Sequence, residues 1–399
     1  MFNTNTTFIL GAGASWHYGY PTGEELVRRV IKKAQELETY CEQSSHLRNP
    51  FMPKYLLRNG RGEPGQEGGL WAAAAYSARQ LFGRLTQVNP TVIDYFLKQN
   101  ADLHEIGKLA IAMVLFDCEA AYDAARGNPN RIELTERLKR QGRFPQGVTV
   151  QPSAFDDDWL RFVLYKITSS CRQSSDLLNN KLTFATFNYD TSLEQRLFLG
   201  LNNIKYFSKE DVLRFLGHGR ILHVYGKLRE EVENVNPMSM YLPPSVNARE
   251  PQELQNVQLR FDAAYDASLG IRTIDGPEKI EDSETLKAVS EAIADSRSLY
   301  VLGYGFDEAN SARIGLNFYK SQSPANRSVF FTNFGGHNRV SMAASRLLFD
   351  SYSEFLPPNP PVRSDTRYLG QNAYRYRWEM STKNVYEALS EDFESLETD

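Results

Sequence analysis

Residues Thr7 to Leu10 form a short β-rich run that stops abruptly in Gly11-Ala12-Gly13-Ala14-Ser15, and a helical pattern follows. A strand that breaks into small residues and hands over to a helix opens a βα unit, so this feature directs the chain toward a sheet flanked by helices. In the helical pattern Leu26, Val30, Ala34 and Leu37 share one face, Thr22 stands at the N-cap position, and Glu24 and Glu25 occupy the positively polarised first turn. The rhythm returns downstream. Strands are predicted at 181–187, 221–224, 298–302 and 328–332. The third of these ends in Gly303-Tyr304-Gly305 and the last in Gly335-Gly336, and helices are predicted at 190–198 and up to about residue 349. Strands alternating with helices predict an α/β chain with a Rossmann-like, doubly wound, mostly parallel sheet.

Between the halves of that pattern the sequence changes character. Segments 71–81, 91–98, 103–124 and 159–178 are helix-like, and 58–69 is a polar glycine-rich loop. The expected organisation is a sheet domain from residues 1–40 and 181–350, a large helical insertion at 41–180, and a C-terminal extension at 351–399. That extension ends in an acidic tail carrying Glu391, Asp392, Glu394, Glu397 and Asp399. The three cysteines, Cys41, Cys118 and Cys171, are too few and too scattered for a disulfide framework or a CxxC zinc pair. A formal net charge of -4 gives no global attraction to nucleic acid or to an anionic membrane. The first ten residues lack the basic start of a signal peptide, and no run approaches the roughly 18 apolar residues of a membrane helix. The expected location is the cytoplasm.

Gly11 and Gly13 let a backbone approach a phosphate closely, and a helix start adds N–H donors, so a dinucleotide pyrophosphate is the natural guest. A tight strand-to-helix turn without ligand gives the same glycines. Trp16 stands where GxGxxG has its third glycine, and no acidic residue ends a second strand about 20 positions on, which argues against a hydride-transfer dehydrogenase.

Gly11-Ala12-Gly13-Ala14-Ser15 followed by Gly19-Tyr20-Pro21-Thr22 resembles the GAGxS…GxP signature that opens sirtuins. Thr186-Phe187-Asn188-Tyr189-Asp190 resembles their TxNxD motif, and Val301-Leu302-Gly303-Tyr304-Gly305-Phe306, with Asn310 beyond it, resembles the late glycine turn of sirtuin-like bacterial proteins. Val92-Ile93-Asp94-Tyr95-Phe96-Leu97 is similar to an Ile-Asp motif of the same proteins. The departures are as telling. The zinc cysteines of the deacylases are missing, their PDFR segment reads Pro21-Thr22-Gly23-Glu24, and Tyr225 holds the place of the histidine in their HG motif, with His223 two residues earlier. This zinc-lacking combination resembles sirtuin-like antiphage NADases, including those that assemble with a HerA-like ATPase. The resemblance implies an oligomeric NAD glycohydrolase that uses NAD as substrate, needs no zinc, touches neither membrane nor nucleic acid directly, and works inside a complex. An NAD-dependent protein deacylase and a non-catalytic NAD-sensing scaffold subunit are the alternatives.

Breaking the nicotinamide–ribose bond passes through an oxocarbenium-like state and needs a group that places water or a ribose hydroxyl, and a base. Asn188 can donate and accept and is the strongest candidate. Asp190 is expected to stabilise positive charge or bind the carboxamide, or else to cap the following helix. His223 is the expected base, or else a core histidine bonded to backbone. Gly11, Ala12, Gly13, Ser15, Pro21 and Thr22 are expected to contact the dinucleotide. Tyr225 and Asn310 are expected at ribose hydroxyls, and Gly303 and Gly305 at the adenosine half, with helix capping as the other role open to Asn310. Three adjacent carboxylates, Asp156-Asp157-Asp158, point apart on any regular element and are read as a charge cluster, not as a metal site.

Overall fold

The computed structural model describes residues 1–59, 67–125, 158–217, 219–230, 232, 240, 242–243, 245–247, 250–273, 284–319, 327–348, 367–371 and 376–393. The chain divides into two units. The first comprises Met1–His17, Asp156–Tyr225 and Lys279–Asp399, and the second Tyr18–Phe155 and Gly226–Glu278.

The first unit is built on one seven-stranded sheet. Its strands are β1 (Thr6–Leu10), β2 (Leu182–Thr186), β3 (Ile221–His223), β4 (Ser298–Leu302), β5 (Arg327–Thr332), β6 (Arg367–Gln371) and β7 (Tyr376–Ser381). The spatial order is β3-β2-β1-β4-β5-β7-β6. Six strands run parallel, and β6 pairs antiparallel with β7 at one edge. The order of the parallel strands, which reverses between β1 and β4, makes this a Rossmann-like α/β fold. Central strands covered on both faces read as unbroken apolar runs, and every residue of β1 is buried. One face carries a row of rings in register. Phe184, Phe8, Tyr300 and Phe330 come from four neighbouring strands, with centroids 5.2, 4.6 and 4.7 Å apart along the row.

The second unit is helical. Helix Gly23–His46 buries Val27, Val30, Ala34, Leu37, Tyr40 and Cys41 along one face. That is the face the sequence periodicity marks, and it packs on helices Glu67–Val88 and His104–Ala125. The expected boundary at residue 40 therefore moves to the His17–Tyr18 junction. The segment 226–278 also joins the helical unit, through helix Pro251–Leu269 against His104–Ala125. The C-terminal extension is no appendage, since β7 continues the sheet beside β5. Asp392, expected in an exposed acidic tail, is buried and accepts hydrogen bonds from Ser381 Oγ and, at 2.7 Å, Lys383 Nζ. Glu394, Glu397 and Asp399 lie outside the described residues. Among the described residues no helix is long and apolar enough to cross a membrane.

Candidate functional site at the carboxyl edge of the sheet

In an open α/β sheet the crevice for ligands lies beyond the carboxyl ends of the strands, where the strand order reverses. Gly11 follows β1, Asn188 lies two residues past β2, His223 ends β3, and Gly303 follows β4. Four elements separated in sequence thus deliver the expected site residues of the first unit to one edge. Pro21 and Thr22 belong to the second unit. There Pro21 is buried, and exposed Thr22 is the N-cap residue of helix Gly23–His46 without a side-chain capping bond. The Ile-Asp motif opens helix Ile93–Gln99 in that same unit.

The glycines of the two turns are needed by each other. Gly13 N donates to Gly303 O at 3.0 Å, and Gly11 N donates to Leu302 O at 3.0 Å. A Cβ added at Gly11 would stand 2.4 Å from Gly303 O, and one at Gly303, where φ is +60°, would stand 2.3 Å from Ala14 N. Their lack of side chains closes two strand ends on each other, while a Cβ at Gly305 meets nothing within 4 Å. The indole Nε1 of Trp159 donates to Ala14 O at 2.8 Å and fastens the short helical turn Ala12–Ser15 from outside.

Asn188 is gripped on nearly every polar atom. Its Nδ2 donates to Gly11 O at 3.0 Å and to Ser15 Oγ at 2.8 Å, its backbone N–H donates to Thr186 Oγ1 at 3.1 Å, and its carbonyl lies 2.9 Å from His223 Nδ1. A backbone carbonyl only accepts, so Gly11 O fixes which end of the amide is nitrogen. Both amide protons are committed, and among the described residues no group donates to Oδ1. Half-buried Asn188 therefore offers the crevice an acceptor, suited to hold a water or a sugar hydroxyl by its proton.

Asp190 is turned inward. It is buried, its Oδ1 accepts from Ser192 N at 3.1 Å and from Ser192 Oγ, and Ser15 hydrogen-bonds the same carboxyl. Burial pushes its carboxyl above the usual carboxylate range against those hydrogen bonds. Its geometry matches the helix-start alternative and adds a brace for Ser15, which in turn holds Asn188. His223 is likewise committed, with Nε2 2.7 Å from Glu194 Oε1 and both side chains 6% exposed.

Tyr225 donates its hydroxyl proton to Asn310 Oδ1 and receives Arg313 Nη1 at 3.0 Å. Asn310 N is capped by Asp307 Oδ1 at 2.9 Å, so Asn310 serves the helix start with its backbone and Tyr225 with its side chain. Phe187 stacks on Tyr304 at 4.9 Å and meets Tyr225 edge-on at 5.8 Å, giving this part of the edge an aromatic wall. Phe306 holds a left-handed backbone at φ +52°, where a bulky side chain is strained, and its ring is buried against Phe331.

Glu194, Arg313 and Trp159 belong to the site and were not singled out in the sequence, and Phe187 entered only as a member of the TxNxD-like motif. Glu194 had a signal, because it falls four residues after Asp190, within one helical turn of the TxNxD-like segment. Asp158 pairs with Arg196, and Asp156 and Asp157 lie outside the described residues. Among the described residues no group of three or more His, Cys, Asp or Glu side chains is placed to hold a metal. A cleft of about 350 Å³ opens at the opposite, amino-terminal end of β1 and β2. Its Arg220 is spent on the carbonyls of Leu178, Asn180 and Leu182. Compared with protein-family models, curated proteins and solved structures, the chain matches none.

Proposed function

We propose that the chain binds NAD at the carboxyl edge of β1 to β4 and hydrolyses the bond between nicotinamide and ribose. The observation that carries this reading is the anchoring of Asn188. Its amide protons are held by Gly11 O and Ser15 Oγ, which leaves Oδ1 as a fixed acceptor beside the carboxyl end of β1, one of the two strands that flank the reversal of strand order. The choice of NAD rests on the sirtuin-like GAGAS, GYPT, TFNYD and LGYGF segments.

In the reaction a water donates one O–H to Asn188 Oδ1, which turns its oxygen lone pair toward the ribose. The C1′–N bond breaks with its electron pair going to nicotinamide, which leaves neutral. The water oxygen bonds C1′ and its proton passes to bulk water, giving ADP-ribose. A ribose hydroxyl held in place of water gives the cyclic product instead. Tyr225 is buried with its hydroxyl engaged by Asn310 and Arg313, so in this reading it sets those two side chains, and Asn310 and Arg313 meet the ribose hydroxyls. Depletion of NAD in antiphage defence, a homo-oligomeric state, a HerA-like ATPase partner and a cytoplasmic location are part of the same proposal and rest on the resemblance.

A second reading, an NAD-sensing subunit without turnover, is favoured by one observation: both ring nitrogens of His223 are engaged within the protein. The test is nicotinamide release from NAD without any acylated peptide, in the wild type and in Asn188→Ala, with circular dichroism as the control for folding. The expected result is release that falls at least about 100-fold in the variant. NAD that binds but is never cleaved, with or without a co-purified partner, would leave the sensing subunit as the answer.

A further inference from the structure

We infer that Glu194 and His223 form a buried, proton-sharing pair that positions Asn188, and that His223 acts through this contact and does not accept the proton of the reaction. The inference rests on the reading of Asn188 as the centre of the site.

The hydrogen positions follow from the partners. His223 Nδ1 faces the carbonyl of Asn188 at 2.9 Å, and a carbonyl has only lone pairs to offer, so Nδ1 carries a hydrogen. Nε2 faces Glu194 Oε1 at 2.7 Å. Two lone pairs at that separation would repel, so a proton lies between them. Imidazole and carboxyl together therefore hold two protons and carry no net charge, the form that two side chains 6% exposed tolerate best. Neither ring nitrogen has a lone pair left for a proton from water.

What the pair does is visible in the chain path. Glu194 stands in the first turn of helix Ser192–Asn202, where a carboxyl is favoured by the helix dipole. The start of that helix is tied to Asp190 through Ser192 N. From Asn188 the chain runs through this turn to Glu194, and Glu194 reaches back through His223 of β3 to the Asn188 carbonyl. The loop is closed by side chains. Thr186, Gly11 and Ser15 hold the other polar atoms of Asn188, so the pair completes the set that aims Oδ1.

The pair makes a distinctive prediction about substitutions. In Glu194→Gln the amide can turn its N–H toward Nε2 while neutral His223 keeps Nδ1–H, so nicotinamide release stays within about threefold of wild type. In His223→Asn the side-chain N–H replaces Nδ1–H toward the carbonyl, and release stays within about tenfold. Glu194→Ala and His223→Ala lose about 10- to 100-fold in kcat with little change in KM, as expected for residues that orient another. A second measurement needs no NAD. Proton–nitrogen correlation spectra of ¹⁵N-histidine-labelled wild type, which has six histidines, should show His223 hydrogen-bearing at Nδ1, with the resonance identified by its loss in His223→Asn. A neutral ring protonated only at Nε2, or His223→Asn as inactive as His223→Ala, would overturn the inference. Absence of nicotinamide release from wild type counts against the NAD reading alone, and the spectra then decide the pair by themselves.

Discussion

The carboxyl edge of the sheet and the long central helix of the helical unit both bury polar groups, and they do so in different ways. Helix His104–Ala125 carries Asp117 and Glu119 in an otherwise apolar stretch, and each is matched by one cation. Lys33 Nζ lies 2.9 Å from Asp117 Oδ2, and Arg229 pairs with Glu119 while its guanidinium lies 4.7 Å over the ring of Phe116. Asp117 Oδ1 also receives Met240 N at 2.6 Å. These are fasteners, closed on themselves. At the sheet edge the buried Asp190, Glu194 and His223 are partnered by backbone groups, hydroxyls and each other, and the network ends on one acceptor, Asn188 Oδ1, that faces outward. Buried polarity thus ties helices together in one unit and aims a single atom in the other.

The largest effect that tests this contrast is on stability. Asp117→Ala leaves Lys33, whose side chain is 7% exposed, with the more exposed Glu36 as its ionic partner and takes the acceptor from Met240 N, and should cost about 3 kcal/mol in denaturant titration. The double replacement Lys33→Met with Asp117→Leu should recover most of that loss, because the pair fastens without needing to be charged. A loss under about 1 kcal/mol in the single variant would show that these carboxylates do not hold the helices.

A smaller effect concerns His17, in the sheet unit. It is 1% exposed, and among the described residues neither ring nitrogen has a hydrogen-bond partner. Burial lowers its pKa from 6.5 to about 4, against the pull of Asp158. The folded state therefore binds fewer protons than the unfolded chain between those values. The associated stability is complete above pH 6.5 and declines as pH falls toward about 4, by up to about 3 kcal/mol. His17→Phe should flatten that part of the stability–pH curve, and parallel curves for the two proteins would break the assignment. The smallest effect is at the surface. Lys54 and Asp266 are 54% and 53% exposed at 2.6 Å, and Lys54→Ala should leave the melting temperature unchanged within error. A clear drop there would mean that burial is not what separates fasteners from idle pairs.

Much of the sheet was legible, because β1, β2, β4 and β5 are apolar runs that end in turn residues, and their observed limits fall within a residue or so of those predicted. β7 was not, since Glu379 and Ser381 are buried in it and break the apolar pattern that marks a covered strand. Helix Gly23–His46 shows a different limit. Val30, Ala34 and Leu37 of the predicted face are buried while Leu26 yields its place to Val27, and periodicity says which face is covered and not by what. At the site, residue types in motif order brought out Asn188, Asp190, His223, Tyr225 and Asn310. The direction of each side chain was not readable. That Asp190 and His223 turn inward depends on Ser15, Ser192 and Glu194, and Arg313 enters only through its place beside Tyr225.

The register of β1 has a consequence for how the chain is made. Thr6 pairs with Leu182 on one side and with Ser298 on the other. β1, the earliest of these strands in the sequence, thus lies inside the sheet, and its second neighbour is synthesised about 15–60 s after it at ordinary elongation rates. Through that interval a five-residue apolar strand waits with an unpaired flank, so this fold should be slow, rich in distant contacts, and most exposed to misassembly before β4 closes that flank.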